Sequence, residues 1–182
     1  MTSWTRRTFL IGAAALPAAC SSQRVSTAAE IDREVAASRN LLFSTVPGTQ
    51  DLAQRASGVL IIPDVLEAGF VASGAYGEGA LQIGPATVEY YSVSSLAIGF
   101  QIGAQNFSQA LFFMTPQALR DFRVTDGWQL GVDAEVTVIE DGASVGASTN
   151  TVSRPIYEVI YGQRGLIVGA SLEGSKYSRL IR

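Results

Sequence analysis

From Gly58 onward the apolar residues of this chain stop recurring at helical spacing and begin to alternate, with glycines set into the alternating runs. That change of period commits most of the chain to strands. Leu96, Ile98, Phe100, Ile102 and Ala104 alternate with Ala97, Gly99, Gln101, Gly103 and Gln105, so residues 96–105 read as one strand with a bulky face and a nearly bare one. A bare face permits close approach or sharp curvature. Residues 59–62, closed by Pro63-Asp64, read as a buried strand. Residues 70–83, 108–114, 134–139, 156–161 and 166–172 give further strands, separated by Gly, Pro or Asp-Gly turns. Phe112-Phe113-Met114 must point to both faces of its strand, so one of those faces meets the helices or is left exposed.

Before Gly58 the pattern is helical. Ala28, Ile31, Val35 and Leu42 fall on one stripe while Glu30, Asp32, Arg33 and Arg39 fall off it, which predicts an amphipathic helix capped by Ser26 or Thr27 and running to about Phe43. Pro47-Gly48 breaks it, and Thr49 or Asp51 opens a short helix through Ala56. Thr115-Pro116 is a cap followed by a proline at the first helical position, so a third short helix is set among the strands near residues 116–122. The predicted class is α+β with β dominant: a strongly curved antiparallel sheet or small barrel, closed by the N-terminal helices.

The first twenty residues read as an address. Arg6-Arg7 in Thr5-Arg6-Arg7-Thr8-Phe9-Leu10 resembles a twin-arginine export motif, a short weakly apolar stretch follows, and Ala18-Ala19-Cys20 resembles the end of a lipobox in which the Cys20 thiol takes the lipid. The apolar stretch is shorter than the ~20 residues a membrane span needs. Residues 21–27 are small and polar, a tether ahead of a domain at 28–182. Cleavage would remove Arg6 and Arg7 and leave 11 basic against 16 acidic residues. The expected location is the periplasmic side of a bacterial envelope, anchored to a membrane, the outer rather than the inner. The other reading of Cys20 is a spent residue in a discarded peptide.

Composition then removes whole classes of chemistry. There is no His, so a Ser/His/Asp triad, a Cys/His pair and a histidine metal site are impossible. One Cys excludes an internal disulfide and a Cys-cluster zinc site. A single Lys and a net charge of −3 give no electrostatic basis for nucleic acid. What remains for catalysis is a carboxylate site built from Glu78, Glu89 or Glu173, or a Ser171 or Ser175 pair with Lys176, and nothing in the sequence brings either set together.

Read in order, Gly58-Val59-Leu60-Ile61-Ile62-Pro63, Ala68-Gly69-Phe70, Gly74-Ala75-Tyr76-Gly77-Glu78-Gly79, Tyr91-Ser92, Gly99-Phe100-Gln101-Ile102-Gly103-Ala104-Gln105, Leu130-Gly131, Tyr161-Gly162-Gln163-Arg164-Gly165-Leu166 and Gly169-Ala170-Ser171-Leu172-Glu173-Gly174 resemble the SYLF domain, also called the Ysc84-type domain. The resemblance runs over most of residues 30–178. It implies lipid binding, no catalysis and no cofactor; eukaryotic members bind phosphoinositide membranes, yeast members also bind actin, and bacterial members are commonly exported or lipid-anchored. The family's tryptophan is Tyr91 here and the proline that follows it is Val93, and the helix at the start of the domain carries mixed charge instead of a basic face.

The expected function is therefore a non-enzymatic lipid-binding domain of an envelope lipoprotein, with membrane lipid as partner. The alternative is a structural or assembly lipoprotein that binds another envelope protein through an apolar patch or strand edge. No actin contact is expected. Aromatic rings and arginines are the residue types that sit at a lipid interface, which makes Tyr90, Tyr91, Phe112, Trp128, Tyr161, Arg120, Arg123 and Arg164 the candidate lipid-binding residues.

Overall fold

The computed structural model describes residues 26–69, 72–98, 103–133, 136–139, 154–165 and 174–182. The leader with Arg6, Arg7 and Cys20, and the strand expected at 166–172, lie outside them. Helix α1, Ala28–Thr45, starts at a capping box in which the Thr27 side chain accepts from the Glu30 N–H while the Glu30 carboxylate accepts from the Thr27 N–H. Of the predicted stripe Ile31, Val35 and Leu42 are buried and Ala28 is half-buried, with Ser38 buried beside them. Each of the three aliphatic side chains contributes roughly 1.5–3 kcal/mol of hydrophobic stabilisation. The short α2, Thr49–Arg55, has Gly48 as its N-cap, with φ 87 in the left-handed region, and no side-chain cap. Helix α3, Pro116–Val124, is capped by the Thr115 hydroxyl, which accepts from the Ala118 N–H at 3.1 Å.

The strands are β1 Gly58–Gly69, β2 Ala72–Ile83, β3 Ala86–Ile98, β4 Gly103–Phe113, β5 Trp128–Gln129, β6 Val136–Ile139, β7 Ile156–Gly165 and β8 Lys176–Leu180. They form one sheet in the order β5-β8-β3-β2-β1-β4-β7-β6. The first seven in that order pair antiparallel, and β6 joins β7 in parallel. Two expectations change. Strand β1 does not stop at Pro63-Asp64: it bulges there, with Asp64 at φ 47 and a register shift between Ile62 and Val65, then continues to Gly69. A bulge tolerates Pro because its missing N–H falls where the ladder is already interrupted. The single strand expected at 96–105 is divided, because its first residues end β3 and its last begin β4, two strands separated in the sheet by β2 and β1.

The sheet is curled, and one hydrogen bond measures by how much. Gln109 of β4 donates through Nε2 to the Tyr177 hydroxyl of β8 at 2.9 Å. These strands stand four places apart in the sheet, a separation of about 19 Å were the sheet flat. Only a half-barrel lets the two side chains meet. The concave face gathers Leu60, Ile62, Val93, Phe107, Leu111 and Phe113, with α3 seated over them through Leu119 and Phe122. The convex face buries Ile61, Ala80, Ala110, Phe112, Val159 and Tyr161 under α1 and α2. Phe112 and Phe113 thus do face opposite ways, Phe112 beneath α1 and α2 and Phe113 against Phe122 of α3. Curvature this tight needs glycine where backbones touch: a Cβ on Gly79 would lie 2.0 Å from the Ile61 carbonyl oxygen.

Candidate functional site

The curl divides the sequence-predicted residues between the two faces of the sheet. On the convex side Phe112 and Tyr161 are fully buried, and half-buried Tyr90 reaches α1, where its hydroxyl donates to Asp32 Oδ2 at 3.0 Å. Tyr161 meets the Ser38 hydroxyl of α1 at 2.7 Å, and burial drives its phenol far above the usual range. On the concave side Tyr91, Trp128 and Arg123 come together around α3. Phe122 lies at ring-centroid distances of 4.7 Å from Tyr91, 4.8 Å from Phe113, 5.3 Å from Trp128 and 6.0 Å from Tyr177. Tyr91 turns its hydroxyl outward to Glu89 Oε2 at 2.8 Å. Arg123 forks onto both Glu89 oxygens at 2.9 and 3.0 Å, and Arg179 adds a third contact at 3.3 Å.

These partners set the local protonation. Burial pushes the Glu89 carboxyl up, but the hydrogen bonds from Arg123 and Tyr91 and the charges of both arginines outweigh it and hold the group below the usual carboxylate range. The Tyr91 phenol is pushed up to about 12, by burial first and then by the hydrogen bond to Glu89. Arg123 is thus bound within the protein. Of the eight candidates only Arg120 and Arg164 are exposed.

Four of the five aromatic candidates are therefore core residues, which a bilayer cannot touch while the fold is closed. Tyr161→Phe separates the two roles. It should cost about 1 kcal/mol in urea denaturation through loss of the Ser38 hydrogen bond, and leave affinity for liposomes unchanged.

The surface that does present apolar side chains is elsewhere. Helices α1 and α2 cover only one end of the convex face. At the other end Leu66 of β1 is 52% exposed, Tyr76 of β2 43% and Leu96 of β3 88%. Register brings them together: Leu66 stands opposite Tyr76, and Leu96 stands opposite Gly74, whose missing side chain leaves Leu96 Cδ2 3.7 Å from where a Cβ would be. A shallow groove runs across this end, with Ala68, Ser94 and Lys176 also in its lining. Sequence reasoning placed Leu96 on a bulky face without showing whether that face is covered. The missed signal is coverage, since the helices before Gly58 are too short to span both ends of a sheet whose strands run to thirteen residues.

Two polar groups also lie inside the concave face. Glu67 accepts from Gln105 Nε2 at 2.8 Å and from the Ser73 hydroxyl at 3.0 Å. Glu158, fully buried in β7, has no hydrogen-bond partner for either oxygen among the described residues, and burial pushes its carboxyl up to about 8. The run Ile156-Tyr157-Glu158-Val159-Ile160-Tyr161, apolar on both sides of the glutamate, was the available sign of a strand buried on both faces. The carboxylates considered for catalysis are otherwise engaged, Glu78 with Arg182 at 2.9 Å and Glu89 with its arginines, and Glu173 lies outside the described residues. Among the described residues no three His, Cys, Asp or Glu side chains gather as metal ligands, and no helix is long and apolar enough to cross a membrane.

Compared with known families, residues 94–179 match the model Ysc84, described as Las17-binding protein actin regulator. This part of the chain belongs to the Ysc84, or SYLF, family. The Ysc84 match begins near the end of β3 and closes in β8, so it holds Leu96, α3, Trp128, Glu158 and Tyr177. The N-terminal motifs from Gly58 to Ser92 lie ahead of it. No curated protein matches the chain. Ysc84 domains are known for binding lipids and actin, and the family is one of binding domains and not of enzymes.

Proposed function

We propose that this protein is a non-enzymatic, lipid-anchored envelope protein whose Ysc84 domain rests on a membrane through the uncovered end of its convex face. The observation that carries this reading is the cluster of Leu66, Tyr76 and Leu96, three large side chains held in register on a rigid sheet and left in water. Lys176 lines the groove, a sign that suits anionic headgroups, and the Glu78 carboxylate that accepts from the Tyr76 hydroxyl is paired with Arg182. The anchor supports the same orientation. Cys20 precedes Thr27 by seven residues, which span at most about 25 Å when extended. The start of α1 lies over Tyr90 through Asp32, and Leu96 is six residues further along β3, about 20 Å away. One bilayer is thus within reach of both the acyl chains and the patch.

A liposome experiment tests this. Protein starting at Ser21 should co-sediment with vesicles containing phosphatidylglycerol, and the double variant Leu66→Glu/Leu96→Glu should lose at least tenfold in affinity while keeping its thermal midpoint, because both side chains are exposed. Equal binding by the variant would refute the membrane contact. Binding that disappears without the anchor would favour the alternative, an envelope-protein partner on the same surface.

A further inference from the structure

A second recess lies at the opposite, helix-covered end of the convex face, between α1, α2 and the start of β1. Its volume is about 400 Å3 and it opens to solvent along one side. Phe43, Ala53, Val59 and Ile61 give it apolar walls, and Arg39 and Gln82 bring polar groups into it. The volume falls in the range of pockets that hold small ligands. It is too small for the two acyl chains of a phospholipid.

Arg39 is the unusual member. Its Nη1 donates to Gln82 Oε1 at 3.2 Å, which fixes the plane of the guanidinium. Its Nε–H is closed off from solvent and has no acceptor among the described residues. Arg123, Arg179 and Arg182 make ion pairs with Glu89 or Glu78, whereas Arg39 makes none among the described residues. An arginine N–H withdrawn from water without an acceptor is destabilising, and the effect is greater for a charged donor than for a neutral one. With Nη1 committed to Gln82 and Nε screened from solvent, Nη2 is the donor of the fork left to a ligand in the recess. A charged N–H there suits an oxygen of a carboxylate or phosphate.

We propose that this recess binds a single-chain amphiphile with an oxyanion head, the head held on Nη2 of Arg39 and the first part of the chain against Phe43, Val59 and Ile61. The site extends the lipid-binding reading to a second, separate location. It would let a domain docked on a membrane also take up free fatty acids or other single-chain anions from it.

The test is calorimetry on the full chain with four probes below their micelle concentrations: decanoate, decyl phosphate, decanol and inorganic phosphate. The two anionic amphiphiles should bind, decanol at least tenfold more weakly, and inorganic phosphate not measurably. Decanoate against decyl phosphate tells whether the head is a carboxylate or a phosphate. Arg39→Met should reduce both anions to the affinity of decanol, and Arg39→Lys, which keeps the charge and loses the fork, should recover only part of it. Equal affinity for decanol and decanoate in the unaltered protein would overturn the proposal without recourse to any variant, as would full retention of decanoate binding in a folded Arg39→Met protein. Arg39→Met should still sediment with liposomes, and Leu66→Glu/Leu96→Glu should still bind decanoate, so the two sites fail separately.

Discussion

Glu158→Gln should stabilise this protein by about 3 kcal/mol at pH 7 and by almost nothing at pH 4. The side chain is fully buried and its carboxyl is pushed up to about 8 in the folded state, against an ordinary value of 4.5. A group whose folded value is raised favours the native state fully below its unfolded value, and that advantage is lost as pH climbs through the folded one. The wild type should therefore weaken steadily between about pH 4.5 and pH 8, by up to ~1.4 kcal/mol for each unit, and level off above. Gln is isosteric and never ionises, so it removes the slope. It also provides N–H donors close to Gln109, whose Oε1 has no partner and which sits diagonally across the β4–β7 ladder from Glu158. Urea denaturation of both proteins at pH 4, 6 and 8 measures this directly. Parallel stability profiles for the two would mean that Glu158 is not held neutral.

The second large effect is at Phe122. Phe→Ala substitutions in cores cost about 3–5 kcal/mol, and this ring is the common neighbour of Tyr91, Phe113, Trp128 and Tyr177. Those four residues come from strands β3, β4, β5 and β8, so the α3 ring fastens both arms of the curled sheet to one point. A domain whose whole stability is ~5–15 kcal/mol loses much of it with this side chain. Phe122→Ala should shift the urea midpoint sharply downward, with Trp128 fluorescence reporting the same transition. A loss under about 1 kcal/mol would show that α3 is an appendage and not the plug of the half-barrel.

Much of the architecture was legible because its signals are local. The Ser26 or Thr27 cap, the Ile31, Val35 and Leu42 stripe, the Pro47-Gly48 break ahead of Thr49 and the Thr115-Pro116 start are each read from a few neighbouring residues, and all three helices lie where those signals put them. The strands were legible as a class, and their partners were not. Nothing between Leu96 and Gln105 says that the run contributes to two separated strands, because periodicity records which face a residue occupies and carries no information about which strand lies beside it. The candidate site shows the same limit. Aromatic rings were chosen by type, and type does not distinguish Tyr161, sealed beneath α1, from Tyr76, left at the surface. Exposure depends on where α1 and α2 stop, which is a tertiary fact. Glu158 was the reverse case, since its apolar neighbours on both sides were in plain view.

Strand β8 lies between β5 and β3, although nearly eighty residues separate it in sequence from the β3 strand it completes. It brings Tyr177, which closes the ring cluster around Phe122 and accepts the hydrogen bond that spans the curl. A nascent chain that has already made β1 to β4 holds an unfinished edge and an unsealed interior until these few residues arrive. Completion of the sheet and sealing of its interior thus both rest on a pairing between residues far apart in sequence, the kind of contact that slows folding.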